Sequence, residues 1–326
     1  MRHYISFGMF DLFIGIDQTG AALESGTRAK PLPVAIYSLR GQQPHLILHD
    51  RSGRSLTLSH LHPDNLDGLL RENNCLTAHQ TVDSRVALLI DSVFGLPSTV
   101  WPFDKAPGAE TLWHLFARTA LDTNERKGFG LKPAAHFFEE LLNSAHGHLP
   151  RAKAQLSPAS GHSLIRRDGT PITDLPTRTC ERLAGANSVF RTRPYQRNIQ
   201  CGTYRIWRDL GSLGKPWANI RCFETRSTVR NDRPWIFEAY PSLLWRKLLQ
   251  IRTRQLGQLP SALKMCEPTI HLTEQGRALI ARNPDHADAA VLAVCGGLLQ
   301  KAGKLFAPIP LDNYLLGREG WIVGLE

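Results

Sequence analysis

The chain has no apolar run near the roughly 20 residues that a membrane-spanning helix requires. Its longest, such as Val86 to Ile90 and Ala289 to Val294, fall far short of that. Cysteine pairs at ligand spacing are also missing. Cys75, Cys180, Cys201, Cys222, Cys266 and Cys295 are scattered, which excludes a zinc knuckle or a Cys-x-x-Cys redox motif and predicts six independent thiols. His60/His62 and His146/His148 have no cysteine or further histidine pair at ligand spacing nearby, so they read as loop or surface residues. Gly211 to Pro216 (GSLGKP) is no phosphate loop, lacking the spacing and the hydroxyl residue after lysine. There is no internal repeat. The N-terminus carries Asp11 and Asp17 and no small-residue cleavage site, so the expectation is a mature cytoplasmic protein.

What is present fits a folded globular protein: 42% hydrophobic and 21% charged residues over 326 positions, enough for one large domain with insertions or two smaller ones. The net charge of +10 is uneven, because residues 151–260 hold 20 lysines and arginines against seven acids. Most of those cations are arginine, whose planar fork grips phosphate in a bidentate way. The irregular spacing of Arg166, Arg167, Arg178, Arg182, Arg191, Arg193 and Arg197 is that of a loop able to wrap a polyanion; a solvated basic face is the plainer alternative.

Along the chain, LFIGIDQTG (Leu12 to Gly20) reads as a short strand ending at Asp17. Residues 31–40 and 45–50 form a strand pair, and 55–61 a further strand or extension. The unbroken apolar run before Asp91 is a strand buried on both faces. Residues 109–122 and 133–147 read as helices. From Leu149 to Asn198 the chain is rich in Pro, Gly, Ser and Arg, a long loop or irregular subdomain. GTYRIWRDLG (Gly202 to Gly211) fits a helix or a strand. WIFEAYP is a strand ending at Glu238, followed by a helix over 242–254. A helix from Thr273 to Arg282 leads to Asn283-Pro284, a cap and a first-turn proline, and then to a helix over 285–301. Gly296 and Gly297 lower its propensity but allow close packing on a sheet. EGWIVGLE reads as a terminal strand. The expected architecture is α/β, a mixed β-sheet flanked by helices.

Three acids, Asp17, Asp91 and Glu238, fall at the carboxyl ends of strands, where such sheets place ligands. Each alone has an ordinary reading: Asp17 and Asp91 as turn caps, Glu238 as an arginine partner. Asp285 and Asp288 add one helix face, though acids at a helix start are also favoured by its dipole. Carboxylates crowded together hold protons unless a cation compensates them. An all-oxygen set suits Mg²⁺ or Mn²⁺. Two such ions about 4 Å apart activate a water and steady the leaving oxygen in phosphodiester hydrolysis. In that reading Asp17 bridges, Asp91 and Asp288 hold one ion each, and Glu238 or Asp285 supplies an outer or alternative ligand.

Six blocks, FIGIDQTG, ALLIDSVFGLP, CGTYRIWRDLG, WIFEAYPSLLWR, NPDHADAAVLA and EGWIVGLE, resemble in order those of the DUF429 family, regarded as nucleases with a ribonuclease H-like fold. The resemblance covers roughly 11–103 and 199–326. It implies a discontinuous ribonuclease H-like core (1–103 and 199–326) with a helical and irregular basic insertion at 104–198. It also implies family acids at Asp17, Asp91, Glu238, Asp285 and Asp288. The second block lacks the family's early proline, and the late block has His286 where an acid is expected. The expectation is therefore a Mg²⁺- or Mn²⁺-dependent nuclease acting on DNA or RNA, with no membrane association. Arg166, Arg167, Arg191, Arg193, Arg197, Arg205 and Arg208 are its candidate nucleic-acid contacts. Two alternatives remain: a nucleic-acid-binding adaptor on a degenerate core, and an actin-like ATPase or phosphotransferase suggested by Asp17-Gln18-Thr19-Gly20. Trp101, Tyr195, Tyr204, Trp207 and Trp217 are either base-stacking or core residues.

Overall fold

A computed structural model describes residues 10–18, 32–61, 63–75, 85–100, 108–126, 134, 136–138, 140–141, 152–153, 164–166, 171–172, 177–186, 188–190, 198–212, 216–225 and 227–325. The elements are β1 (Leu12–Ile16), β2 (Val34–Ser38), β3 (His45–Ile47), α1 (Pro63–Glu72), β4 (Val86–Ile90) and α2 (Ala109–Arg126). Then come β5 (Ala152–Lys153), β6 (Leu164–Arg166), β7 (Pro171–Ile172), α3 (Thr179–Ala184), α4 (Asn198–Gly211) and β8 (Asn219–Ile220). The chain continues through β9 (Trp235–Glu238), α5 (Pro241–Lys247), α6 (Leu259–Cys266), β10 (His271–Leu272), α7 (Glu274–Arg282), α8 (Pro284–Lys301) and α9 (Asn313–Glu319).

Apolar residues at every position, rather than at alternate ones, make β1 and β4 central strands, and both are buried throughout. The seven-stranded sheet runs β10-β3-β2-β1-β4-β9-β8. β2 is antiparallel to β1 and to β3, while β4 joins β1, and β9 joins β4, in parallel. The mixed sheet flanked by helices is as expected. β5, β6 and β7 form a separate small antiparallel ribbon.

Two cores cover the two faces. One joins Ile14, Leu88 and Ile236 to Leu112, Phe116 and Trp207 of α2 and α4. The other joins Phe13, Leu89 and Phe237 to α8, whose residues 287–297 are all buried. α8 begins as the sequence predicts: Asn283 Oδ1 accepts from the backbone N–H groups of Asp285 (3.0 Å) and His286 (3.3 Å), with Pro284 in the first turn. Its glycines meet the sheet directly, since a Cβ on Gly297 would stand 2.5 Å from Tyr37 Cε1.

Several elements differ from expectation. Residues 202–211 are helical, as part of α4. The helix expected to reach Arg254 stops at Lys247, and Gln250 takes a left-handed φ of 56° that turns the chain back. The 55–61 segment is a single bridge between Ser55 and His49 followed by one 3-10 turn. Of the terminal EGWIVGLE, Glu319 ends α9 and the described residues after it form no strand, though Val323 N donates to Glu238 O at 2.8 Å. The described residues of 133–147 are helical. All six cysteines are free thiols. Among the described residues no helix is long and apolar enough to cross a membrane.

Candidate functional site

Parallel register aligns three strand ends. Ile16 is level with Ile90, and Ile90 with Glu238. The ladder runs one step further, with Asp91 N donating to Ile16 O and Ala239 N to Ile90 O, both at 3.0 Å. Side chains along a strand alternate between faces. Ile16 and Ile90 belong to the core beneath α2 and α4. Asp17 and Asp91, one residue on, therefore belong to the opposite face, with α8. Glu238, level with Ile90, belongs to the face of α2 and α4. Sequence position alone treats these acids as equivalent, whereas the register separates them.

α8 reaches the end of β1 because Gly15 has no side chain. A Cβ there would stand 2.0 Å from the carbonyl oxygen of Ala289 and 2.7 Å from Ala293 N. This backbone contact lays the first turns of α8, with Asp288, over the strand end. The consequence is electrostatic. The side chains of Asp17 and Asp91 lie within hydrogen-bonding reach of each other. Burial pushes the Asp91 carboxyl up to about 7, and the charges of Asp288 and Glu238 add to the rise. The contact with Asp17 and the charge of Arg254 pull the other way. Asp288 is buried and pushed up to about 6, first by that burial, against the pull of Arg254 and Trp245 and with a further rise from Asp285. Asp17, Glu238 and Asp288 thus lie within electrostatic reach of Asp91, and Asp285, half-buried one turn away on α8, within reach of Asp288.

They differ in what occupies their oxygens. Trp245 Nε1 donates to Asp288 Oδ1 at 2.7 Å, and Arg254 Nη1 meets Oδ2 at 2.8 Å. Arg254 Nη2 also donates to Ser242 Oγ at 2.9 Å. Glu238 is held on the other face by Arg178, whose Nη1 donates to Oε2 at 2.7 Å and whose Nη2 pairs with Oε1. Phe94 N donates to Oε2 as well, at 3.1 Å. Arg178 further binds Glu181 Oε1 at 2.9 Å and the Glu319 carbonyl oxygen at 2.8 Å.

A hard divalent ion suits these residues chemically, since all are carboxylates. The fit is incomplete in place. Both oxygens of Glu238 are engaged by a buried guanidinium, which is a structural anchor's arrangement and not a ligand's. Asp288 is closed by Arg254. Among the described residues no group of three or more His, Cys, Asp or Glu side chains is placed to hold a metal ion.

The predicted arginine contacts divide as well. Arg205 is buried and lies 3.8 Å from Asp209, and Arg208 pairs closely with Asp209. Both pairs lie within α4, whose apolar residues join the core on that face of the sheet. Arg166 lies in β6. Arg167, Arg191, Arg193 and Arg197 fall outside the described residues, as do His62, His146, His148, Trp101 and Tyr195. Tyr204 and Trp207 are core residues, with Trp207 Nε1 donating to Val93 O at 2.6 Å, and Trp217 is packed against the same core. Arg178, expected among the polyanion-facing arginines, is 1% exposed.

The sequence reading missed Arg254 and its neighbours. Residues 242–266 contain five cations and no acid, and Arg246, Lys247, Arg252 and Arg254 are exposed. That acid-free run beside an acid cluster was the available signal.

No family model, curated protein or solved structure matches the chain.

Proposed function

We propose that the chain is a divalent-cation-dependent nuclease of the ribonuclease H-like kind, as the resemblance to the DUF429 family implies, with its reaction centre at the ends of β1 and β4. The observation that carries the reading is the convergence of Asp17, Asp91 and Asp288 from segments far apart in the chain onto one side of the sheet. The antiparallel β1-β2-β3 meander with β4 and β9 added in parallel supports the fold assignment. Asp17, Asp91 and Asp288 form no ligand set as placed and would have to come together about the ion, and Glu238 is not one of them. When bound, a divalent ion supplies charge neutralisation to the phosphate and a more acidic water. The chain's own part is to hold the carboxylates together in a dry place, where their repulsion makes a cation welcome. The exposed Arg246, Lys247 and Arg252 lie in the same segment as Arg254 and give phosphates a cationic approach.

The test is cleavage of single-stranded, double-stranded and branched DNA and RNA with Mg²⁺ or Mn²⁺. Cleavage is expected, and its loss in Asp17→Asn and Asp288→Asn. Wild-type protein inert on the whole panel sinks the reading. The closure of Asp288 by Arg254 favours a second one, a nucleic-acid binder without cleavage. Salt-sensitive binding that persists in Asp17→Asn, on an inert wild type, would select it.

A further inference from the structure

Around the end of α5 the chain presents positive charge with no compensating acid of its own. Residues 242–266 hold five lysines and arginines and no aspartate or glutamate. Arg246 and Lys247 close α5, Gln250 turns the chain back through its left-handed φ, and Arg252 follows on the exposed loop. Cations in a last helical turn are favoured by the helix dipole, which accounts for Arg246 and Lys247. It does not account for Arg252, which lies well past the helix end at Lys247.

The two helix cations are tied to neutral groups. Arg246 Nε donates to Ser242 O and its Nη2 to Ala184 O, both at 3.1 Å, while Lys247 Nζ lies 3.5 Å from Gly324 O. Among the described residues none of Arg246, Lys247 and Arg252 has a carboxylate partner. Arg254 Nη2 reaches the same Ser242, through Oγ at 2.9 Å, so two guanidinium groups are held about one residue. Like charges gathered in this way repel unless an anion lies against them. The exposed side chains beside them, Gln250, Thr253, Gln255 and Gln258, are neutral hydrogen-bonding groups. No large apolar side chain between residues 246 and 258 is exposed, so the surface has nothing to insert into a lipid layer. Its cations are mostly arginine, whose fork matches phosphate. Arg254, which meets Asp288 at 2.8 Å, places the surface at the edge of the acid cluster.

We infer that Arg246, Lys247 and Arg252 form the docking surface for a nucleic-acid backbone, and that they grip its phosphates without any divalent ion. The inference rests on the proposed function for the class of partner and deepens it, because it names where the nucleic acid lies and separates binding from cleavage.

The experiment is fluorescence anisotropy of labelled single- and double-stranded DNA and RNA, titrated with the full chain in EDTA over a range of salt. Wild type is compared with the triple variant Arg246→Gln, Lys247→Gln, Arg252→Gln, and circular dichroism confirms that each form is folded. Each phosphate contact contributes about 0.7–0.9 to the slope of log affinity against log salt, so the triple variant is expected to lose about 2 from that slope. At about 0.1 M salt its binding is expected to be at least about tenfold weaker. A control with the same change of charge, Arg51→Gln, Arg54→Gln, Arg71→Gln, removes cations that are paired with Glu72, Asp50 and Asp67. It is expected to stay within about threefold of wild type, since exposed pairs contribute little. That pattern supports the inference whether or not the protein cleaves. Undiminished binding by the first variant, or equal weakening in the control, overturns it and leaves the nuclease reading to its own cleavage panel. Wild type that binds no nucleic acid at low salt, or that binds anionic vesicles or polyglutamate in its place, overturns it as well.

Discussion

Replacing Arg178 by methionine tests the assignment of Glu238 as an anchor. The guanidinium is 1% exposed and is the counter-charge for two buried carboxylates, Glu181 at 1% and Glu238 at 6%. Its contacts span three elements, Glu181 on α3, Glu238 on β9 and the Glu319 carbonyl oxygen on α9. Removing one partner of a buried ion pair costs about 3–5 kcal/mol, because the charge left behind is stranded. Two stranded carboxylates place Arg178→Met toward the upper end of that range at pH 7.5. Burial already raises the Glu181 carboxyl, and Arg178 is the main influence holding it down. Without Arg178 the Glu181 carboxyl takes up a proton more readily than in the unfolded chain. The variant's folded state then binds the extra proton, so its deficit shrinks as pH falls toward 5. Urea unfolding at pH 7.5 and pH 5 measures this. The triple variant Arg178→Met, Glu181→Gln, Glu238→Gln, which carries no stranded charge, is expected to recover at least half the loss. A cost below about 1 kcal/mol at pH 7.5, or one that does not change with pH, would show that water screens these groups and would refute the reasoning.

Other outcomes follow from the same geometry. Gly15→Ala sets a methyl group against the backbone of α8, which cannot yield as a side chain can; it is expected to cost about 1–3 kcal/mol or more by thermal unfolding and to weaken Mn²⁺ binding. In the metal-free protein Asp91 and Asp288 bind protons more tightly folded than unfolded, with folded values of about 7 and about 6. The stability they influence is therefore greatest below pH 4 and declines as pH rises from about 4 to about 7. Asp91→Asn should flatten that slope in unfolding experiments across the range, and an unchanged slope would contradict it. Glu238→Gln keeps wild-type Mn²⁺ affinity if Glu238 is only an anchor, and an affinity lowered tenfold or more would restore it as a ligand.

The sequence reveals the sheet more fully than the site. β1, β4 and β9 stand out because uniformly apolar runs end at Asp17, Asp91 and Glu238, and α8 because Asn283-Pro284 opens it. What separates the acids is the register between strands, a long-range quantity that no local pattern encodes. Glu238 stands level with Ile90 while Asp17 and Asp91 lie one residue further on, so the alternation of side chains sends them to opposite faces. Arg178 was misread for a related reason. Its surroundings in the chain are rich in proline and arginine, as an exposed loop would be, yet two of its partners lie 60 and 141 residues away. The length of α5 was overread because residues 248–254 keep helical composition, and only the turn at Gln250 ends it.

A crystal grown metal-free and soaked in Mn²⁺, with anomalous scattering recorded, bears most directly on the claim that these carboxylates form one cation site. A peak within bonding distance of Asp17 and Asp91 is the expected result. An empty map at saturating Mn²⁺, or a peak only at surface carboxylates, would contradict it.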